Sequence, residues 1–153
     1  MQSARALVPL LLASTLLACG GGKSAEPARL AETEPNDTSG IATQVIRNWS
    51  TIHLAGACDS ANDQDWWAIT FATFVPPAPV QATLSWAGAA DLDLTMTDAL
   101  GAPLSTDPSA SPAVVSSILT TSGSFLLQVK CNAAAGTTWK LDIPAPGANP
   151  ADP

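Results

Sequence analysis

Carboxylate and amide side chains are concentrated in three short segments of this sequence, and their spacing suits a hard metal ion. The segment Glu32 to Thr38 places four of them within six positions, and Pro35 favours an extended backbone at its centre. Asp59 to Asp65 is a second acidic segment, and Asp91 to Leu94 is a third. Calcium takes about six to eight oxygen ligands, so two such segments brought together could hold it. The spacing alone is more typical of solvated loops with Asx turns and caps.

The elements that must position these residues are strands. Apolar residues recur at every second position in five segments, a pattern that indicates strands with one buried face. Clusters of turn-forming residues separate the segments, and only Ser39 to Val45 could form a brief helical turn. We therefore predict an all-β domain, a single β-sandwich or jelly roll of about seven to eight antiparallel strands. The alternating residues are Trp67, Ile69 and Phe71; Val80, Ala82, Leu84 and Trp86; Leu92, Leu94 and Met96; Phe125, Leu127, Val129 and Cys131; and Trp139, Leu141 and Ile143.

Four motifs occur in the order seen in bacterial pre-peptidase C-terminal domains, and the chain resembles that family over roughly residues 32 to 143. The resemblance implies a non-catalytic β-sandwich of the kind appended to secreted peptidases and other exported enzymes. The motifs are Glu34-Pro35-Asn36-Asp37-Thr38, Asp63-Gln64-Asp65-Trp66-Trp67, Asp91-Leu92-Asp93-Leu94 followed by Asp98 and Gly101, and Gly123-Ser124-Phe125-Leu126-Leu127-Gln128-Val129.

The same resemblance implies a cofactor. Related collagen-binding domains of clostridial collagenases hold calcium through an acidic segment that precedes the first strand. The chain has no tyrosine, whereas those relatives use surface tyrosines to bind collagen, so collagen is unsupported as a target. The calcium ligands that the resemblance implies are Glu32, Glu34, Asn36, Asp37, Asp63 and Asp65.

The N-terminal residues have the features of an export signal. Arg5 precedes an apolar run from Ala6 to Leu17, which is too short to cross about 30 Å of hydrocarbon. Leu16-Leu17-Ala18-Cys19-Gly20 resembles the lipobox of bacterial lipoproteins, in which the cysteine is acylated and becomes the mature N-terminus. The alternative is an ordinary cleaved signal peptide with an incidental cysteine. The Gly-rich spacer after Cys19 favours the anchored form, because an anchored domain needs a flexible tether.

These features divide the chain into four parts and suggest a location. We expect attachment to the membrane through the lipid, in the bacterial cell envelope. Because Gly20 is not the aspartate that retains many lipoproteins in the inner membrane, the outer membrane is the expected address. The predicted parts are a signal peptide at 1–18, a lipidated flexible tether at 19–30, a pre-peptidase C-terminal-like β-sandwich at 31–144 and a disordered tail at 145–153.

Two cysteines remain for the folded domain. Export places Cys58 and Cys131 in an oxidising compartment, where a pair usually forms a disulfide. Such a bond would close a loop of about 73 residues and remove roughly 4 kcal/mol of unfolded-chain entropy. The alternative is two unpaired buried thiols. A metal-binding or nucleophilic role has little support, because His53 is the sole histidine and the chain has no Cys-x-x-Cys spacing.

Charge and motif content argue against two classes of function. Thirteen acidic residues against six basic ones give a net charge of −7, so nucleic acid is excluded as a partner. A serine triad would need His53 as its base, yet alternation places it opposite Ile52 and Leu54 on a solvent-facing side. Asp91 to Thr95 fits the nucleophile motif of haloacid-dehalogenase-like phosphatases, but the parallel strand and helices of that fold are not predicted. We therefore expect no catalysis.

The sequence thus predicts a non-catalytic, lipid-anchored binding or accessory module of the cell envelope. We expect calcium to stabilise this module and an unidentified protein or polysaccharide to be its ligand. The alternative is a carbohydrate-binding envelope lipoprotein, since β-sandwiches often present flat aromatic rings to sugars. Three of the five tryptophans share the phase of core residues. Trp49 and Trp66 are less constrained and are the candidates for an exposed aromatic surface.

Overall fold

A computed structural model describes residues 26–48, 50–73, 75–108, 110–120, 123–133 and 136–145. These residues form ten β-strands and a short 3-10 helix, Ser39–Ile41, and the strands make two five-stranded sheets. The strands are β1 (Leu30–Ala31), β2 (Thr43–Arg47), β3 (Ile52–Ala57), β4 (Gln64–Phe71), β5 (Ala78–Trp86), β6 (Leu92–Asp98), β7 (Pro103–Asp107), β8 (Ala113–Leu119), β9 (Ser124–Cys131) and β10 (Thr138–Ile143).

The two sheets have similar layouts. Sheet A has the order β1-β3-β10-β5-β8, and sheet B has the order β2-β4-β9-β6-β7. The all-β sandwich is confirmed, but the predicted count of seven to eight strands is wrong, since there are ten. The prediction of a wholly antiparallel arrangement is also wrong, because β1 pairs parallel with β3 and β2 pairs parallel with β4. Both parallel strands are short edge strands contributed by the N-terminal part of the domain.

The core lies between the sheets and is built from the alternating residues. Every predicted alternating position is buried except Trp86, which packs partly buried against the core. Trp67 and Trp139 meet edge to face with ring centroids 6.3 Å apart, and each ring comes from a different sheet. Burial of such side chains stabilises a sandwich by about 1.5–3 kcal/mol each before conformational entropy is counted. The period-2 pattern therefore fixes which face of each strand turns inward.

A disulfide joins the two sheets at one end of the sandwich. Cys58 follows β3 and Cys131 ends β9, and their sulfur atoms are bonded, with the Cα atoms 5.9 Å apart. Both residues are fully buried. The backbone around them is also paired, because the Cys131 amide donates to the Asp63 carbonyl and the Asn62 amide donates to the Cys131 carbonyl. The predicted disulfide is confirmed, and the loop from β3 to β4 is held against β9.

The segment 32–42 carries the chain from sheet A to sheet B across this same end of the molecule. It leaves β1, contains the 3-10 helix and enters β2. The amide of Trp66 donates to the carbonyl of Asn36 at 3.1 Å, which fastens the segment to β4. The acidic residues of the first sequence segment are therefore brought to the start of β4, where the second acidic segment ends.

Residues before β1 lie on the outer face of sheet A. Arg29 donates two hydrogen bonds to the Asp142 carboxylate, at 2.8 and 3.2 Å, and a third to the Leu54 carbonyl. Glu26 pairs with Arg29 and with Lys140. Ordered contacts therefore begin within the segment 19–30 that the sequence assigned to a flexible tether. Cys19 and the signal peptide lie outside the described residues.

None of the helical structure in the described chain has the length and apolar character needed to cross a membrane.

Candidate metal site

An acidic pocket lies between the sheets where the segment after β1 meets the start of β4. Glu32 comes directly after β1, and Asp65 is the second residue of β4 and points inward. Carboxylate oxygens of Glu32, Glu34 and Asp65 lie within 4.8 Å of one another. The topology therefore brings the first and second acidic sequence segments together, and three residues predicted as calcium ligands share one pocket.

Several polar atoms of this pocket are buried and have no hydrogen-bond partner among the described residues. Glu32 accepts a bond from the Ala57 amide through Oε1 at 2.7 Å, but its Oε2 has no partner. Asp65 accepts from the Trp139 indole through Oδ2 at 3.1 Å, but its Oδ1 has none. Leaving such atoms buried and unsatisfied costs about 1–3 kcal/mol each. A proton shared between Asp65 and Glu32, or a bound cation, would satisfy the two carboxyl oxygens.

Asn36 carries a buried neutral amide, and its backbone contacts both acidic segments. Its side chain is fully buried, and both its Oδ1 and its Nδ2 have no hydrogen-bond partner among the described residues. Its backbone amide donates to Oε2 of Glu34 at 3.1 Å, and its carbonyl accepts from Trp66, the residue after Asp65. The residue is thus fixed next to the cluster from both directions along the chain.

The electrostatics of the pocket oppose the charged state of its carboxyl groups. Burial, reinforced by the neighbouring Glu32 carboxylate, raises the pKa of Asp65 to about 9. Burial also raises the pKa of Glu32 above its ordinary value, and the amide of Ala57 opposes that rise. Without a cation at least one proton is therefore retained between these two residues at neutral pH. A divalent cation would oppose the rise in both pKa values, because a nearby positive charge favours the ionised carboxylates.

Two other predicted ligands are placed differently. Asp63 uses its carboxylate oxygens to accept backbone amides of Asp59, at 2.7 Å, and Gln64, at 3.1 Å, so it closes the loop before β4. Its oxygens also lie near Asp65 and Cys131, although the sulfur of Cys131 is committed to the disulfide. Asp37 is exposed and belongs to neither acidic cluster of the described residues. Asp63 therefore serves the loop as sequence-based capping rules anticipate, and Asp37 does not join the pocket.

The third acidic segment lies at a turn rather than in the pocket. Oδ2 of Asp93 accepts from the side-chain amide of Asn132 at 2.9 Å, and the backbone carbonyl of Asp91 accepts from the amide of the same residue. These contacts join the start of β6 to the end of β9. The segment is thus explained by local structure.

Two residues that sequence reasoning did not single out shape the pocket. Trp139 donates its indole N–H to Asp65 across the core. Gly56 faces both groups, because a Cβ atom at this position would collide with the Trp139 ring and with the Glu32 carboxylate. Gly56 interrupts the alternation of β3 after Ile52 and Leu54, and this missing side chain at an inward position was the available signal.

A groove at one end of sheet A, lined by residues from both faces of its strands, adjoins the acidic pocket. It has a volume of about 670 Å³, and small residues of β3 and β5 form much of its lining together with Lys140. Glu32 and Trp139 line the groove as well as contributing to the pocket. Lys140 is engaged by Glu26 at 2.6 Å. The groove is therefore a surface concavity in direct contact with the candidate metal site.

Trp66, one of the two residues proposed for an aromatic sugar platform, is not displayed as a free ring. Trp66 lies on the outer face of β4 and is partly buried, and its Nε1 is buried with no partner among the described residues. Trp49 lies outside the described residues. His53 is partly exposed and its Nδ1 lies 2.7 Å from Oδ1 of Asp142, so it belongs to the ion-pair group that holds Arg29.

Comparison with known proteins assigns no family. No protein-family model matches the chain, so the resemblance to pre-peptidase C-terminal domains is not confirmed. No curated protein matches it either. Among solved structures, the chain is similar to a periplasmic inhibitor of g-type lysozyme from Aeromonas hydrophila, with 16% sequence identity and a TM-score of 0.44 over 67% of this chain and 96% of that one. Similarity at this level assigns no function.

Proposed function

We propose that the protein is a non-catalytic binding or accessory module of the bacterial cell envelope, anchored through a lipid on Cys19 and stabilised by calcium bound in the acidic pocket. The ligand set is Glu32, Glu34, Asn36 and Asp65, which is narrower than the set implied by family resemblance. A relationship to pre-peptidase C-terminal domains is part of this proposal. Calcium is a structural ion in it, and holds the crossing segment 32–42 against β4.

One observation carries the calcium proposal. Glu32 Oε2, Asp65 Oδ1 and Asn36 Oδ1 are buried oxygens with no hydrogen-bond partner among the described residues. Glu32 and Asp65 lie together where two acidic segments meet, and the Asn36 backbone is bonded to the residue after Asp65. Glu34 adds a carboxylate at the solvent side of the pocket. Hard cations prefer such oxygen donors, and water completes the coordination of calcium in many protein sites. A bound ion would satisfy the orphaned oxygens and the excess negative charge together.

A calcium titration of the purified protein in detergent tests this proposal. Extracellular calcium sites have dissociation constants of about 10⁻⁴ to 10⁻³ M, so about 1 mM calcium would stabilise the fold by roughly 0.4–1.4 kcal/mol. We expect calorimetric binding and a melting temperature that rises by a few degrees over that in chelator. Calcium binding with a dissociation constant in this range but no rise in melting temperature would contradict a structural role. A titration without any binding heat would contradict the site itself.

Neighbouring residues provide a matched pair of variants for that experiment. Asn36→Ala removes the buried amide and should abolish most of the calcium-dependent stabilisation. Asp37→Ala removes an exposed carboxylate from the next position and should leave it unchanged, because Asp37 is outside the pocket. The opposite result would restore Asp37 as a ligand, as the family resemblance implied.

The groove on sheet A supports the binding part of the proposal. It is a concave surface with mainly small side chains at its floor, and it shares Glu32 and Trp139 with the pocket. Affinity capture from detergent-solubilised envelopes, with wild-type protein and a Ser85→Trp variant that fills the groove, would identify a partner. We expect a partner that the wild type retains and the variant loses. Equal retention by both would place the binding surface elsewhere.

The lipid anchor rests on sequence alone, and it is tested separately. Mass spectrometry of the processed N-terminus should find a diacylglyceryl group on Cys19, and Cys19→Ala should move the protein from the membrane to the soluble fraction. An unmodified thiol on the mature protein would refute the anchor without affecting the calcium site.

A polysaccharide ligand remains the alternative, favoured by one feature. Trp66 lies outward on β4 directly opposite Gln128 of β9, and Gln128 donates to the side chain of Gln64. Trp combines an apolar ring with a polar N–H group and is enriched at binding interfaces, and here two side-chain amides lie beside it. Wild-type signal on a glycan array that is lost in Trp66→Ala would support this function, and wild-type signal retained in the variant would exclude this face.

A further inference from the structure

The hydrogen bond between Trp139 and Asp65 crosses the core from one sheet to the other. Trp139 belongs to β10 of sheet A, and Asp65 belongs to β4 of sheet B. The indole Nε1 donates to Oδ2 of Asp65 at 3.1 Å, and both side chains are buried. The hydrogen bond favours a near-linear N–H···O arrangement, so it restricts the direction of the Asp65 carboxyl group. This contact therefore fixes the orientation of one carboxylate relative to the opposite sheet.

The position of the indole ring is itself determined by its neighbours. Gly56 pairs with Trp139 in the sheet and leaves space for the edge of its ring, since a Cβ at Gly56 would collide with the ring. Trp67 packs against the ring at an interplanar angle of 82°. The N–H group therefore points at Asp65 because packing on two sides leaves the ring little freedom.

We propose that Trp139 is a positioning residue of the calcium site, which holds the Asp65 carboxylate so that Oδ1 faces the ion; this inference rests on the proposed function. The bond occupies Oδ2, and Oδ1 is the oxygen that has no hydrogen-bond partner among the described residues. Asp65 then binds through one oxygen in a fixed direction. Partners that orient metal ligands in this way typically contribute about 10- to 100-fold to metal affinity.

Two tryptophan variants distinguish this role from simple packing. Trp139→Phe and Trp67→Phe each remove an indole from the same buried pair, so both should lower the stability of the metal-free protein. Only Trp139→Phe removes the bond to Asp65, because Nε1 of Trp67 has no partner among the described residues. We expect calorimetric titration of the full-length protein to show calcium affinity about 10-fold weaker in Trp139→Phe and clearly less weakened in Trp67→Phe, which removes one packing neighbour of the Trp139 ring but keeps its N–H donor.

The outcomes separate the inference from the proposed function. If the wild type binds no calcium, the proposed function is refuted and the positioning role with it. If the wild type binds calcium and Trp139→Phe binds it equally well or more tightly, the positioning role alone is overturned. Equal weakening in both tryptophan variants would also overturn it, because loss of packing would then explain the effect.

A measurement on the wild-type protein covers the case in which Trp139→Phe does not fold. Hydrogen exchange of the indole N–H groups can be followed by NMR with and without calcium. Because the ion fixes the Asp65 carboxylate that accepts this bond, exchange at Trp139 should slow by a larger factor than exchange at Trp67. Identical factors at the two indoles would overturn the proposal.

Discussion

Replacing Asp65 by asparagine should stabilise the metal-free protein while removing its response to calcium. Asparagine has the same shape as aspartate and retains a carbonyl oxygen for the Trp139 indole. It also removes the ionisable carboxyl group. Burial and the Glu32 carboxylate raise the pKa of that group from its ordinary 3.8 to about 9. Between these two pH values the folded state binds more protons than the unfolded state, so the free energy of unfolding of the wild type falls as pH rises.

The size of the effect follows from the pKa shift. Each pKa unit corresponds to about 1.4 kcal/mol. Because Asp65 ionises freely in the unfolded chain but stays protonated in the folded one, its burial lowers the stability of the wild type by on the order of 4 kcal/mol at pH 7. The asparagine amide brings a new buried donor that costs about 1–3 kcal/mol if it finds no partner. We therefore expect Asp65→Asn to be more stable than the wild type by about 1–3 kcal/mol at pH 7 in chelator.

Urea unfolding followed by tryptophan fluorescence provides the assay. Wild type, Asp65→Asn and Asp37→Asn should be compared in chelator from pH 4 to pH 8, and again with calcium. The advantage of Asp65→Asn should disappear towards pH 4, and Asp37→Asn should follow the wild type, because its carboxylate is exposed. The reasoning is refuted if Asp65→Asn is less stable than the wild type at pH 7 without calcium and shows the same dependence on pH.

Three further changes test other parts of the structure. Gly56→Ala should lower the free energy of unfolding by about 1–3 kcal/mol, because the added methyl group collides with the Trp139 ring and the Glu32 carboxylate; wild-type stability in urea would show that both groups can move. Replacing Cys58 and Cys131 together by alanine should cost about 4 kcal/mol in the same assay, and a loss well under this value would show that the backbone pairing around them suffices. In the wild type, burial raises the pKa of Asp142, but hydrogen bonds from Arg29 and His53 outweigh it and hold that pKa below its ordinary 3.8. The resulting stability is present above pH 3.8 and is lost as pH falls further, so Asp142→Asn should reduce stability at pH 7 by about 1 kcal/mol and flatten the acid limb of the stability curve.

The sequence predicted those strands whose inward positions are uniformly apolar. β4, β9 and β10 alternate without interruption, and the structure buries every predicted position on them. β8 was not predicted, because Ser117 occupies one of its inward positions, between Val115 and Leu119. β7 offers no alternation, since all its residues are exposed or partly exposed. β1 and β2 are held mainly by pairing with longer neighbours, and a two-residue strand leaves no periodic signal.

The candidate site could be predicted only in part from the sequence, for a different reason. Composition marked the acidic segments, but contact between them depends on the parallel pairing of β1 with β3 and of β2 with β4. Local sequence patterns do not specify this pairing. Trp139 has the phase of a core residue, and nothing in the sequence separates its packing role from its bond to Asp65. A register shift between Met96 and Thr97 similarly buries two successive residues, which a strict period of two does not allow.

The contacts made by Arg29 and Glu32 have a consequence for the behaviour of the protein at high local concentration. An unprotected edge strand invites a second molecule to add its own strand, which is a common start of aggregation. On β3 the Leu54 carbonyl is taken by Arg29, the Ala55 carbonyl by the amide of Glu32, and the Ala57 amide by the Glu32 carboxylate. This edge is therefore blocked by side chains as well as by β1, and crowded copies would find no template for strand exchange between Leu54 and Ala57.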